Sequence, residues 1–397
     1  MRIVLIGVSC ALLAGCGGAG SVAPSTAAVS ETAGESSPGS YKILYSFRYG
    51  VDGISPLASV TALNGTLYGT TPSGGVGGYG TFFSLTLSGK ERVLHSFGVN
   101  EDTAIPNGIA YFAGTFYGTA SNCTFKACGA VFAVSPTGKE RVLYGFKSHA
   151  DGAEPVAGLV AVNGALYGTT SSGGSYCPGY GGGYCGTVFA ISTPGKERVI
   201  YRFKGGSDGA GPVAALLEYK GKLYGTTKGG GGTSNICRQG CGTVFEVSTS
   251  GSERVLHRFQ GRPDGALPVA QLVAVNGVMY GTTRAGGSAN KGAVFEVSLA
   301  GKERVVYSFK NSGSAPQAGL IYSKGMLYGT ASSGGAAGYG TVFALSPSGQ
   351  ERTLHYFRGY PDGADPAAAL YSLNGMLYGT TFSGGAENRG SVFEIAP

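Results

Sequence analysis

Residues 155–203 read PVAGLVAVNGALYGTTSSGGSYCPGYGGGYCGTVFAISTPGKERVIYRF, and this stretch decides the fold. A proline opens an apolar run that ends at Asn163-Gly164, the strongest short signal for a two-residue hairpin turn. Three more runs rich in β-branched and aromatic residues follow, at 165–170, 186–192 and 197–203. Such runs between Gly-rich turns are typical of β-strands, so the stretch predicts four short antiparallel strands.

The same pattern recurs seven times along the chain. A Tyr-Gly pair marks each copy, at intervals of 48 to 57 residues. Four strands per roughly 50 residues is the size of one propeller blade. The pairs begin at Tyr68, Tyr117, Tyr167, Tyr224, Tyr280, Tyr328 and Tyr378. The sequence therefore predicts an all-β fold, a seven-bladed β-propeller of four-stranded blades.

The first and last repeats are incomplete in complementary ways. The seventh repeat stops after the third-strand sequence of residues 392–395, whereas Tyr41–Phe47 is a fourth-strand sequence with no repeat before it. We expect the N-terminal strand to complete the last blade, because this closes the ring and removes an open sheet edge. The propeller is assigned to residues 41–397.

The residues before the propeller look like an export segment. Arg2 precedes an apolar run that is too short to span a membrane as a helix. The run ends in Leu13-Ala14-Gly15-Cys16, which resembles the lipobox of bacterial lipoproteins. The resemblance implies removal of residues 1–15, lipidation of Cys16 and, since Gly17 is not acidic, an outer-membrane destination. A plain secretory signal with an incidental cysteine is the alternative, and residues 16–40 are predicted to be a flexible tether carrying the lipidated cysteine.

Six further cysteines form three close pairs in consecutive repeats. Export exposes them to an oxidising compartment, which favours disulfides. Zinc is the competing interpretation, but no histidine lies near a pair and the spacings share no ligand pattern. The predicted disulfides are Cys123–Cys128, Cys177–Cys185 and Cys237–Cys241.

These residues together resemble the tandem repeats of the GloVer-containing, choice-of-anchor family of exported proteins. The resemblance covers residues 41–397 and is carried by elements such as LYGTT, GTVF and GKERVVYSF. It implies export and a repeat fold, and it implies no particular chemistry, because the family is defined by its repeats.

Candidate catalytic residues are few. The predicted axial strands carry small residues and, as polar exceptions, Asn107, Gln271 and Gln317, whereas a glycosidase needs two carboxyl groups flanking its substrate. Glu154 and Asp365 are the weak candidates, since they add carboxylates to two interblade loops. His95, His257 and His355 stand where other repeats have tyrosine, which favours packing over metal binding. The sequence predicts no cofactor and no metal site.

A recurring Asp-Gly-x-x-Pro sequence precedes the first strand of most repeats. Local turn chemistry accounts for such an aspartate, because its carboxylate can accept bonds from nearby amides. A ring of carboxylates binding cations at one mouth of the propeller is the alternative, and it requires the side chains to converge. The aspartates are Asp52, Asp151, Asp208, Asp264 and Asp362, with Asp102 as a variant.

Binding is the function that the pattern favours. The net charge of +7 comes largely from Lys-Glu-Arg turns without interleaved aromatics, which argues against a nucleic-acid partner. Every change of repeat length falls in the loop between the second and third strands, where binding residues are commonly found. We expect a monomeric cell-envelope module, anchored to the membrane by its lipid, that binds a glycan or protein through Tyr176, Tyr180 and Tyr184. A carbohydrate-active hydrolase or lyase with its site at the axial mouth of the same face is the alternative.

Overall fold

The computed structural model of the protein describes residues 40–50, 52–98, 103–123, 127–178, 180 and 183–397. They form seven four-stranded antiparallel sheets arranged as a β-propeller, as predicted. Within these residues the helical content is one short 3₁₀ turn, Gly206–Asp208. The predicted signal peptide and Cys16 lie outside the described residues.

Strands are named A to D from the axis outward, and blades 1 to 7 in chain order. Strands A are Thr61–Leu63, Pro106–Phe112, Val160–Val162, Leu217–Tyr219, Val273–Val275, Ile321–Ser323 and Tyr371–Leu373. Strands B are Thr66–Thr71, Thr115–Cys123, Ala165–Thr170, Lys222–Thr227, Val278–Thr283, Met326–Ala331 and Met376–Thr381. Strands C are Thr81–Thr86, Cys128–Val134, Thr187–Ser192, Thr243–Ser248, Ala293–Ser298, Thr341–Leu345 and Ser391–Ile395. Strands D are Glu91–Ser96, Glu140–Gly145, Glu197–Arg202, Glu253–Arg258, Glu303–Ser308, Glu351–Tyr356 and, for blade 7, Tyr41–Ser46.

Three two-stranded ribbons lie outside the blades. They pair the connection that enters a blade with the B–C loop of that blade. Their strands are Gly53–Ile54 with Ser73–Gly74, Gly265–Ala266 with Ala285–Gly286, and Gly363–Ala364 with Ser383–Gly384.

Blade 7 is closed by the N-terminal strand, as the incomplete repeats predict. Tyr41–Ser46 pairs antiparallel with Ser391–Ile395, and Tyr41 lies opposite Ile395. The backbone N–H of Phe47 also donates to the carbonyl of Gly390 at 3.0 Å. The edge of strand C in blade 7 is thus covered by a strand that is remote in sequence.

A pair of phenylalanines joins each blade to the next. One ring ends strand D and the other lies in strand C of the following blade, with centroids 5.0–5.4 Å apart in edge-to-face geometry. The glycine of the Tyr-Gly pair makes room for the second ring, because a Cβ at Gly168 would lie 2.6 Å from Phe189. The pairs are Phe47–Phe83, Phe97–Phe132, Phe146–Phe189, Phe203–Phe245, Phe259–Phe295, Phe309–Phe343 and Phe357–Phe393.

A ring of threonine hydroxyls holds the axial segments together. Near the end of each strand B, a threonine hydroxyl donates to a backbone carbonyl of the axial segment, the residues at or just before the start of strand A of the next blade. In blade 2, for example, Thr119 Oγ1 donates to the carbonyl of Ala157 at 2.8 Å. Residues 155–159 therefore bond to the preceding blade, and strand A of blade 3 begins only at Val160 instead of at Pro155 as predicted. The other donors are Thr70, Thr169, Thr226, Thr282, Thr330 and Thr380.

A pair of buried hydroxyl groups also lies between strands B and C of a blade. Thr170 and Thr187 are 2.8 Å apart in blade 3. Blade 6 has Ala331 at the first of these positions, and the Oγ1 of Thr341 is left buried without a partner.

The two blades supply a matched test of this hydroxyl pair. We expect Thr187→Val to lower the free energy of unfolding by roughly 1 kcal/mol, because it removes a buried hydrogen bond. Thr341→Val should leave it unchanged or raise it, because it removes an unpaired buried hydroxyl. Chemical denaturation of both variants is the measurement, and an equal loss in both would contradict the assignment.

Candidate functional site

The strand order gives the propeller two different faces. The A–B and C–D hairpin turns lie together on one side, called here the tight-turn face. The B–C loops and the D–A connections lie on the other, the loop-rich face. At the A–B turns Asn163 has a φ of 48° and Gly164 a φ of 81°, which is the geometry predicted from the Asn-Gly dipeptide.

An axial cavity of about 610 Å³ opens at the start of the A segments. Its walls are mostly small and apolar, for example Ala157, Ala214 and Ala368, and the described lining residues carry no charged side chain. The three polar residues expected from the sequence, Asn107, Gln271 and Gln317, do line the cavity, and the side chains of two of them form hydrogen bonds between blades. Asn107 Nδ2 donates to the carbonyl of Pro155 at 2.8 Å, and Gln271 Nε2 to that of Leu216 at 3.0 Å.

The Asp-Gly aspartates serve local structure at separate blade interfaces. Asp151 accepts the Tyr144 hydroxyl at 2.8 Å and the amide of Lys147 at 2.9 Å. Histidine replaces the tyrosine in three blades. In two of them, His257 Nε2 lies 3.2 Å from Asp264 and His355 Nε2 lies 3.1 Å from Asp362. None of the described aspartates lines the axial cavity, so the turn interpretation is confirmed and the side chains do not converge on the axis.

Each of four interfaces adds a glutamate beside its aspartate. The glutamate begins strand D of the following blade, and burial together with the charge of the neighbouring aspartate raises its pKa to about 7. One oxygen of each is buried without a hydrogen-bond partner. The residues are Glu91, Glu197, Glu253 and Glu303. Blade 7 has Tyr41 at this position, and its hydroxyl donates to Asp362 at 2.7 Å.

One of these interfaces has ligand-like geometry. Ligand atoms of His257, Asp264 and Glu303 lie within 4.8 Å of one another. The same three positions are tyrosine, aspartate and glutamate at the interface of Tyr201, Asp208 and Glu253, where Tyr201 donates to Asp208 at 2.7 Å. The histidine therefore occupies a structural position of the repeat.

The two weak catalytic candidates are not brought together. Glu154 enters blade 3 and is bonded to Ser171 at 3.2 Å, whereas Asp365 enters blade 7 and accepts from Ser383 at 2.7 Å. Neither lines the axial cavity. Both have a positive φ of 54° before a proline, a conformation that this position adopts in every blade.

The cysteines are paired within their repeats, at positions compatible with the predicted disulfides. Cys123 and Cys128 face each other across strands B and C of blade 2, with Cα atoms 3.8 Å apart. The Cα atoms are 5.6 Å apart for Cys177–Cys185 and 4.9 Å for Cys237–Cys241.

The three tyrosines of the blade 3 loop differ in their surroundings. Tyr176 is 67% exposed, and Tyr184 packs edge-to-face against both Tyr176 and His149. Tyr180 instead packs against the core, because Gly211 and Gly229 of blade 4 leave room for its ring. It also lines a small cavity of about 190 Å³ between the disulfide loops of blades 3 and 4. Tyr176 is thus the member of the set that is most open to a ligand.

A larger group of exposed rings was missed by the sequence analysis. Five aromatic side chains of the loop-rich face, 38–76% exposed, belong to successive loops of blades 6, 7 and 1. The sequence feature that could have indicated them is the Gly-Tyr-Gly tripeptide around Tyr79 and Tyr339, which lie in B–C loops of ordinary length. We call Tyr339, Tyr360, Phe382, Tyr49 and Tyr79 the aromatic arc.

Comparison with known families and structures agrees with the repeat architecture. A family model described as the Gloeobacter/Verrucomicrobia repeat matches residues 32–237 and 231–397. The chain belongs to this repeat family. The resemblance inferred from LYGTT and GTVF is therefore confirmed for the repeat. No curated protein matches this Gloeobacter/Verrucomicrobia repeat protein.

Solved structures similar to the repeat protein share its fold at low identity. Virginiamycin B lyase from Staphylococcus aureus is 11% identical, with a TM-score of 0.58, and the match covers 90% of this chain and 100% of that one. A putative 6-phosphogluconolactonase from Bacteroides uniformis is 14% identical, with a TM-score of 0.52, and the match covers 79% of this chain and 88% of that one.

Two structural features concern the cellular location of the protein. The disulfides indicate an extracellular or periplasmic protein, because such bonds persist in oxidising environments. Among the described residues, no helix has the length and apolar character needed to cross a membrane.

Proposed function

We propose that this protein is an outer-membrane lipoprotein, anchored through Cys16, that binds a glycan through the loop-rich face of its propeller. The observation that carries the proposal is the aromatic arc. Tyr49 is 76% and Tyr360 69% exposed, on loops whose backbones are fixed by hydrogen bonds to neighbouring blades. Exposed rings on a rigid scaffold provide flat apolar area at low entropic cost, which suits stacking on sugar faces.

The charges near the arc support a glycan with acidic or hydroxyl groups. The Arg389 guanidinium lies 5.0 Å from the Tyr49 ring, and Arg48 and Arg358 are exposed beside Tyr49 and Tyr360. The aspartates of the same loops are turned inward. Asp52 accepts from the Tyr45 hydroxyl, and Asp362 accepts from Tyr41 and His355. Cations are therefore presented at the surface while the nearby aspartates are occupied.

Catalysis is the weaker alternative. The titles of two structural neighbours name a lyase and a lactonase, but identities of 11% and 14% support the fold alone. The described lining of the axial cavity offers a substrate neither a carboxylate pair nor a histidine. Binding accordingly accounts for more of the observed surface than hydrolysis or elimination does.

Ring substitutions on the two faces test the proposal. A glycan array first identifies a ligand, and the double variant Tyr49→Ala/Tyr360→Ala should then weaken its binding about tenfold, since each stacked ring contributes about 0.5–1.5 kcal/mol. Calorimetric titration is the measurement. The matched control is Tyr111→Ala/Tyr322→Ala, which removes two exposed rings of strands A away from the loop-rich face.

The other outcomes are also informative. Weakening by Tyr176→Ala alone would place the ligand at the blade 3 loop instead of the arc. Weakening by the control pair alone, or the absence of any glycan ligand on the array, would contradict the proposal.

A further inference from the structure

The charges of the loop-rich face are unevenly distributed around the ring. Five successive loops, from the connection that enters blade 4 to the connection that enters blade 6, carry eight lysine and arginine side chains, all of them exposed. The same loops contain only two acidic residues, Asp208 and Asp264. The eight cations, called here the basic patch, are Lys204, Lys228, Arg238, Arg258, Arg262, Arg284, Lys291 and Lys310.

The two acidic residues of these loops are engaged in local structure. Asp208 accepts from the Tyr201 hydroxyl and from the amide of Lys204, both at 2.7 Å. Asp264 accepts from the amide of Gln260 at 3.0 Å, and its side chain is only 16% exposed. Among the residues that the structure describes, no cation of the basic patch forms an ion pair. The positive charges are therefore left at the surface.

Hydrogen bonds between neighbouring loops hold the basic patch in place. Arg258 Nε donates to the carbonyl of Ser207 at 2.8 Å, and a terminal guanidinium nitrogen of Arg262 donates to that of Ser288 at 2.6 Å. The carbonyl of Lys291 accepts an amide of the connection that enters blade 6 at 2.9 Å. A ligand that bears several anionic groups thus meets cations whose positions are already fixed, which lowers the entropic cost of binding.

A recess at one end of the basic patch has room for a single anionic group. It is the cavity of about 190 Å³ between the disulfide loops of blades 3 and 4. Lys204 and Arg238 line it together with Thr233 and Gln239, and none of its described lining residues is acidic. Two cations, a hydroxyl and a side-chain amide are donors suited to a carboxylate or sulfate, because bonds to ionised acceptors are the stronger ones.

We infer that the basic patch binds the anionic groups of an acidic polysaccharide, with carboxylate or sulfate groups on successive sugars. The assignment to a glycan rests on the proposed function, whereas the negative charge of the ligand rests on the patch. Lys310 and Tyr339 belong to two loops of blade 6, so the patch adjoins the aromatic arc and one extended chain can contact both. The loops of the patch carry no exposed aromatic ring, which disfavours a single-stranded nucleic acid.

Binding of three polysaccharides to the full chain in non-ionic detergent tests the inference. Dextran sulfate and uncharged dextran share a backbone, so their difference reports the sulfate, and polygalacturonate reports the carboxylate. We expect at least one polyanion to bind, with a Kd that rises steeply with salt concentration because bound counterions are released. Failure of both polyanions to bind would overturn the inference.

Two matched triple variants locate the binding surface. Lys228→Ala/Lys291→Ala/Lys310→Ala should weaken polyanion binding about tenfold and reduce its salt dependence, since fewer counterions are released. Lys90→Ala/Lys139→Ala/Lys302→Ala is the control, because it removes the same charge from exposed lysines of the tight-turn face. Equal weakening by the two variants would overturn the inference, as would equally tight binding of a DNA duplex.

The arc variant separates this inference from the proposed function. Polyanion binding that is lost in the loop-rich lysine variant but unchanged in Tyr49→Ala/Tyr360→Ala would uphold the basic patch and contradict the arc. A neutral glycan that binds through the arc, without binding of either polyanion, would uphold the arc and overturn the patch.

Discussion

Deletion of Tyr41–Phe47 should destroy cooperative folding of the propeller or lower its melting temperature by more than about 10 °C. The deletion removes strand D of blade 7, exposes the edge of Ser391–Ile395 and takes away the buried side chains of Leu44 and Phe47. An open edge strand also promotes aggregation. Differential scanning calorimetry of the purified variant is the measurement, and deletion of residues 17–35 is the control, with no expected change.

A point substitution tests the same closure in a chain that still folds. Phe47→Ala should cost roughly 3–5 kcal/mol, the usual range for removing a buried phenylalanine. Phe203→Ala removes the equivalent ring between blades 3 and 4, where strand D is continuous with its own blade. The two losses should agree, because Phe47–Phe83 and Phe203–Phe245 have the same geometry, with centroids 5.2 and 5.0 Å apart. A much smaller loss for Phe47→Ala would show that the ring is open at blade 7.

The protein should be more stable at pH 5 than at pH 8, with a difference of at least several degrees in melting temperature. Glu91, Glu197, Glu253 and Glu303 have a pKa raised to about 7 in the folded protein, first by burial and then by a neighbouring aspartate. A carboxyl group with a raised folded pKa binds its proton more tightly when folded. Its contribution is therefore complete below about 4.5, the unfolded value, and is lost as the pH rises through about 7.

Removing the four carboxyl groups should remove this pH dependence. The variant Glu91→Gln/Glu197→Gln/Glu253→Gln/Glu303→Gln keeps the shape of each side chain without its charge. We expect its melting temperature at pH 8 to approach that of the wild type at pH 5. Glu154→Gln, at an exposed position, is the control. A wild-type melting temperature that rises from pH 5 to pH 8 would contradict the proposed interfaces.

The candidate surface was only partly predictable. The variable blade 3 loop stood out because it lengthens the repeat, yet its Tyr180 packs into the core while Tyr176 is exposed. The aromatic arc lies in loops of ordinary length, so repeat length did not signal it. Whether a ring is exposed depends on the residues that the neighbouring blade places beside it. Tyr180 is covered because Gly211 and Gly229 of the next blade leave space for its ring, and this proximity of residues remote in sequence cannot be inferred from the local sequence around Tyr180 or Tyr360.

The carboxyl groups at the interfaces between blades were also only partly predictable from the sequence. The Asp-Gly turn was predicted from local chemistry, and its carboxylate does accept a nearby amide, as Asp151 does from Lys147. From the sequence, the Lys-Glu-Arg turns stood out only for their contribution to the net charge, whereas Glu197 of one such turn lies partly buried beside Asp151 at the interface between two blades. These residues are 46 positions apart in the sequence, and only the packing of one blade against the next brings them together.

By itself, the sequence determined the number of blades, the four strands per blade, the closure by Tyr41–Ser46 and cysteine pairings with which the structure is compatible. Each of these follows from a period, a turn dipeptide or a short spacing, which are local properties of the chain. The tertiary structure alone decided the threonine ring, the raised pKa of the interface glutamates and the exposure of the aromatic arc. Those features arise where one repeat meets the next, and contacts between repeats depend on side-chain packing that no single repeat contains.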